Sequence, residues 1–214
     1  MKSKSDVLQG IDDELIWRRR ELVDIRMIAT SPHTSLIRKT AVLRAGVALL
    51  YAHWEGFVKQ SGTQYLEYVA NQRRKASELR VNFIAVKLHA RIVEAAKSKN
   101  PSAARELVEF FTTKLGDRLR IQHKGVVNTQ SNLSSSVLRE ILFILGLDWA
   151  PFEAKSNLID TSLVDRRNHI AHGNNVEIGV DDYTDLHNEV LVLMNMFRDQ
   201  ITNAVLTDSY LRPN

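Results

Sequence analysis

An all-α fold, a helical bundle built round one long central helix, is what this sequence predicts, and three observations predict it. Only 9 glycines and 4 prolines punctuate 214 residues, too few turn formers for a barrel or a sandwich. Apolar residues recur at helical spacing along most of the chain. Residues 35–70 read as one uninterrupted helix, roughly 50 Å long. Its middle, AVLRAGVALLYAHWEGFVK, is apolar nearly all round. A helix of that kind belongs at the centre of a bundle, where each face meets another element.

The elements follow in order. Residues 6–28 form a first helix, with Leu8, Ile11, Leu15, Ile16, Leu22, Val23 and Ile25 at mixed helical spacing. The run Arg18-Arg19-Arg20 reads as a solvated face, and Ser31-Pro32 ends the helix. After the long helix, a third covers residues 76–96. Ser98-Lys99-Asn100-Pro101 is a turn, and Pro101 suits the start of the next helix. The pattern stays helical from Ser102 to about Arg120, and GVVNTQSN is a loop. Ser134 is placed to cap a helix over residues 137–145 that Gly146 closes. Residues 148–155, with Pro151, connect to a helix over residues 157–171 that stops at Gly173-Asn174-Asn175. A last helix starts near Asp181 or Asp182, whose charges complement its dipole, and runs to about Val205.

Hydrophobic residues make up 44% and charged residues 25% of the chain, an ordinary soluble composition, and residues 1–214 read as one domain. The net charge is +4 and the pI near 9.4, compatible with a polyanionic partner. No cysteine is present. That excludes a disulfide framework, cysteine-ligated zinc, iron–sulfur clusters and a thiol nucleophile, and it fits a cytoplasmic location. Acidic residues arrive before any apolar run at the N-terminus, so a signal peptide is not expected. The most apolar run, residues 45–54, is too short to cross a bilayer.

The segment richest in chemistry is Asp165-Arg166-Arg167-Asn168-His169-Ile170-Ala171-His172-Gly173. On a helix, Asp165, Asn168, His169 and His172 fall on one side, and Arg167 lies beside Asn168. The helix C-terminus and Asp165 would both favour a protonated His172. The cluster offers a proton carrier, an orienting amide and a permanent cation, all of use to a phosphodiester. The plainer reading is a polar helix end with a solvated histidine beside a glycine cap. His169 and His172 are spaced to share a metal, but no third ligand and no HExxH accompany them, so neither a metal nor a cofactor is expected.

A second constellation lies in the long helix, where Arg44, Tyr51 and Glu55 form one stripe, with Lys59 and Gly62 close to the same line. Charges on a buried helix need partners. Either Arg44 and Glu55 satisfy one another or other helices, or Glu55 borders the cleft that holds His172. No GxxxxGK[ST], GxGxxG or GxSxG occurs, so ATP-driven work and serine hydrolysis are unsupported. Arg118, Arg120 and Lys124 make a basic stretch without interleaved aromatics, which is no stacking platform for single strands.

Arg167-Asn168-xxx-His172 resembles the R-x(4–6)-H motif of the HEPN superfamily, in which a polar residue often follows the arginine. LRAGVALLYAHWEGFVK (residues 43–59) is similar to the long helix of the RiboL-PSP-HEPN and related MAE-type groups. SNLSSSVLREILFILGL (residues 131–147) resembles their mid-chain segment. The resemblance spans roughly residues 10–205. It implies a HEPN-like helical bundle that dimerises, with Arg–His motifs meeting in a composite cleft. It also implies a metal-independent endoribonuclease, acting as a toxin or antiviral effector with RNA as substrate and an antitoxin as a possible partner. The matching site residues are Arg167, Asn168 and His172. Glu55 matches the acidic residue of the "WE" pair, and Asp165, Arg44 and Tyr51 would support them. Arg118, Arg120 and Lys124 are the candidate contacts to the RNA backbone. Some family members lack catalysis and only bind nucleotides or proteins, which is the alternative reading.

Overall fold

The computed structural model describes residues 3–98 and 100–213, and it is all-helical in its regular structure among those residues. The first helix, α1, is Lys4–Thr30, begun by a capping box in which Ser3 and Asp6 satisfy one another's amides. Helix α2 is Leu36–Asn71, 36 residues. Then come a 3-10 turn at Ala76–Glu78, α3 (Val81–Lys97), a second 3-10 turn at Pro101–Ala104 and α4 (Arg105–Thr113). Helix α5 is Ser135–Leu145, α6 Ala150–Glu153, α7 Arg166–Ala171 and α8 Val180–Leu206.

Helices α1, α2 and α8 pack on one another as the central layer. Trp54 and Phe57 of α2 are fully buried and meet the edge of Phe197 of α8 at 6.4 and 6.2 Å between centroids. The close approach of α2 to α8 depends on Gly46. A Cβ there would lie 2.6 Å from the ring of buried Tyr183. The core is one contiguous cluster reaching from Val7 to Tyr210. No helix among the described residues is long and apolar enough to cross a membrane.

Four sequence expectations need correction. Arg18 is buried, not solvated: it pairs with Glu14 at 2.7 Å and lies over the Trp17 ring, while Arg19 and Arg20 are exposed. The helix expected over residues 76–96 is broken at Leu79, which is extended and bridges to Leu211. The chain end is laced there, with Arg80 N–H donating to Tyr210 O and Arg212 N–H to Glu78 O. The helical pattern ends at Thr113 rather than near Arg120. Beyond it the backbone turns back, and Leu119 N–H donates to Arg74 O at 2.8 Å. Finally, the helix leading to the Arg–His motif is not α throughout. Leu158–Asp165 is a π segment, whose bonds run from i to i+5. That register stacks Ile159 and Val164, five apart, and both are buried. Ser134 and Gly146 cap α5 as expected, Gly146 at φ 68°. Of the turn at Ser98–Pro101, Lys99 lies outside the described residues.

Candidate active site

Helix α7 carries the motif and ends as its sequence dictates. Gly173 has φ 80°, a left-handed conformation open to glycine. Its N–H donates to Ile170 O, and Asn174 N–H reaches back to His169 O, both at 3.0 Å. This is a Schellman motif, and it leaves His172 as the exposed last residue of the helix end. Arg44 of α2 donates from Nη2 to Asn174 O at 2.7 Å. The turn that carries His172 is therefore tied to the long helix.

Arg167 points the other way, into the bundle. Its guanidinium carbon lies 3.8 Å from the centroid of the Tyr51 ring, a cation–π contact, and Nη2 donates to Ser131 O at 3.1 Å. Nε is buried without a partner. Asn168 donates to Asn132 Oδ1 at 3.4 Å. Tyr51 completes the arrangement, since its hydroxyl oxygen accepts from Leu133 N–H at 2.7 Å. Burial pushes the Tyr51 phenol up from the usual tyrosine value, and the Glu55 carboxylate adds to that, against the opposing pull of the Leu133 amide and Arg167. The 131–133 turn thus touches three motif-side residues. Its own shape includes Gln130 and Ser131 at positive φ. Asp160, in the π segment, accepts from both the amide and the hydroxyl of Ser135 and so fixes the start of α5.

The structure brings Arg167, Asn168 and Tyr51 together and sets His172 at the adjoining turn. It does not join Arg44 to Glu55. Eleven residues separate them, about 16 Å along the axis, and Arg44 is engaged by Asn174 instead. Asp165 makes no ion pair with His172 among the described residues; its carbonyl oxygen is 2.8 Å from His169 Nδ1. No group of three His, Cys, Asp or Glu among the described residues is placed to hold a metal ion. Arg118 and Arg120 sit far from the motif, near the C-terminal end of α2. Sequence reasoning missed Asn132, Leu133, Asp160 and Asn174 as supports; SNLSSS marked the first two only as part of a longer likeness.

An all-helical bundle with an Arg-x4-His motif at a helix end, backed by the long helix, defines a HEPN-type domain. The RiboL-PSP-HEPN family model matches residues 13–203, and the chain belongs to that family. No curated protein and no solved structure matches the chain. The family points to a nuclease or an RNA-related module.

Proposed function

We propose that the protein is a metal-independent endoribonuclease that cleaves RNA by attack of the ribose 2′-OH on the adjacent phosphorus. The observation that carries this reading is the state of the two motif residues. Arg167 is held rigidly by Tyr51 and Ser131, while the His172 imidazole stands exposed at the helix end with no protein partner among the described residues. A fixed cation and an accessible proton carrier are what the reaction needs. His172 takes the 2′-OH proton or delivers one to the departing 5′ oxygen. His172 of a second copy supplies the complementary step in a homodimer. Arg167 supplies its permanent positive charge to the crowded phosphorane, and Asn168 orients the phosphate. The carboxylate of Glu55, partly exposed on the next turn of α2 after Tyr51, borders this site. The products are a 2′,3′-cyclic phosphate and a 5′-OH. DNA, lacking the nucleophile, resists. A toxin or antiviral role, with an antitoxin as partner, accords with the family.

The second reading is a non-catalytic nucleotide- or protein-binding module. One observation favours it: Arg167 and Asn168 both bond the 131–132 turn, so the motif also serves the fold. Incubation with total RNA in excess EDTA, beside His172→Ala, separates the two. Cyclic-phosphate ends from the wild type alone support the nuclease. Intact RNA in both lanes, from folded dimer, supports the module, and equal cutting of DNA refutes the 2′-OH mechanism.

A further inference from the structure

At the C-terminal end of α2 the chain builds a cationic cleft that the motif does not use. A cavity of about 910 Å³ is lined by Arg73, Arg74, Lys75 and Arg118. A second, of about 500 Å³, shares Arg73 and Arg118 and adds Arg120 and His123. Glu78 is the one acidic residue in either lining, and its carboxylate is engaged by the Lys75 amide at 2.7 Å. Arg73, Arg74, Lys75, Arg118 and Arg120 are exposed, and none has an ion-pair partner within 4 Å among the described residues. Arg18, Arg91, Lys114, Lys155 and Arg198 are all paired. Beyond the lining, Asp208 feels Arg74 but pairs with Lys4 at 2.9 Å, and Asp117 adjoins Arg118 in the chain without an ion pair to it among the described residues.

The cations are presented on a fixed frame. Lys75 and Arg118 form an antiparallel bridge, and Ala76 and Ser77 amides donate to Asp117 O and Leu115 O at 3.0 and 2.9 Å. Arg73 itself has φ 49° at the position after a helix where glycine is the relaxed choice. The chain keeps a cationic side chain where the backbone would prefer none. No Phe, Tyr or Trp lines either cavity, so the lining has no large aromatic platform for unpaired bases. A lining dominated by cations favours phosphates, as in recognition of a duplex by its backbone. From Tyr51 to Asn71 is about 30 Å along α2, close to one turn of an A-form RNA duplex, roughly 30 Å.

We propose that this cleft grips the phosphate backbone of a base-paired RNA stem, roughly one helical turn from the Arg–His motif. This rests on the reading of the protein as RNA-directed, and it makes the substrate a folded RNA with a stem beside the cleaved residue. The experiment is a fluorescence-anisotropy titration in EDTA over a range of salt, using the His172→Ala chain so that RNA stays whole. The probes are a hairpin with a stem of about 12 base pairs, just over one turn, and an unstructured strand of equal length. The hairpin should bind more tightly. Adding Arg73→Gln with Arg118→Gln should weaken it at least fivefold and reduce the log–log salt slope by roughly 1.5, two phosphate contacts at about 0.7–0.9 each. Arg19→Gln with Arg20→Gln on α1, an equal loss of charge, should cost much less. Arg73→Gly guards against a folding artefact: it relaxes the backbone, so melting should hold or rise while hairpin affinity falls.

Equal weakening by the α1 pair, or undiminished hairpin binding by Arg73→Gly, overturns the cleft. Tighter binding of the single strand overturns the stem. The two proposals fail separately. Cleft-dependent binding by a wild type that never cuts RNA keeps the cleft and sinks the nuclease; cutting, with binding indifferent to Arg73, does the reverse.

Discussion

Replacing Tyr51 with phenylalanine deletes one oxygen and keeps the ring. The lost atom is the acceptor for Leu133 N–H, a bond of 2.7 Å at a residue with no exposed surface. An amide left buried and unpaired costs about 1–3 kcal/mol. For a chain of this size each kcal/mol lowers Tm by roughly 2–4 °C, so Tyr51→Phe should melt ~2–12 °C below the wild type. The Arg167 stack, 3.8 Å over the ring, survives the change, since phenylalanine also presents a π face. Tyr51→Leu removes the ring as well, and with it about 0.5–2 kcal/mol of cation–π attraction. A double-mutant cycle of Tyr51→Leu with Arg167→Gln, read by urea denaturation, should return a coupling energy in that range. In the EDTA cleavage assay, Tyr51→Leu should be slower than Tyr51→Phe by roughly three- to tenfold, the kinetic equivalent of losing ~1 kcal/mol of positioning. An unchanged Tm for Tyr51→Phe would show that the Leu133 amide is satisfied elsewhere. A coupling energy of zero would show that the stack holds nothing.

Two further predictions concern the core. Gly46→Ala puts a methyl 2.6–2.8 Å from Tyr183 ring atoms, and the ring is fully buried. Overpacking of about 1–3 kcal/mol should exceed the ~1 kcal/mol gain in helix propensity, so Tm should fall; a rise would refute the close α2–α8 contact. Acid should also destabilise the fold. Burial pushes His53 down from the usual histidine value, with Arg18 adding and Glu21 opposing. Burial likewise lowers His187, with Arg26 adding and Asn188 opposing. Below about pH 6.5 the unfolded chain takes up protons that the native histidines refuse. Stability therefore declines as pH falls from 6.5 towards the lowered native values and levels off beneath them. Melting curves from pH 7.5 to 5.5 should show this, and His53→Gln with His187→Gln should flatten the slope; a slope untouched by both changes contradicts the assignment.

The bundle and its long helix were legible because apolar spacing, Ser134, Gly146 and Gly173 are local signals that packing reinforced. The motif residues were legible as chemical types, and the glycine stop at 173 foretold the turn that presents His172. What remained hidden depends on partners distant in sequence. Arg18 sits in a run of three arginines, yet burial of one and not its neighbours is decided by Glu14 one turn earlier and Gly56 across the helix pair. Arg44 and Glu55 share a stripe, but Arg44 finds a carbonyl 130 residues away. Leu79 has helical neighbours, and only the returning chain end makes it extended. The π register of Leu158–Asp165 leaves no mark that apolar periodicity over so short a window can resolve.

That π segment gives the chain a place where a residue can be gained or lost without re-aiming the motif. A π turn holds about one residue more than an α turn, so the eight residues of Leu158–Asp165 turn through nearly the angle that seven would cover as an α-helix. Deleting a single residue there and letting the segment close as α would leave Arg167 and His172 facing within about 50° of their present directions. The same deletion in a plain α stretch would turn everything downstream by about 100°. Between related chains, a one-residue gap within Leu158–Asp165 is thus compatible with a motif that points the same way.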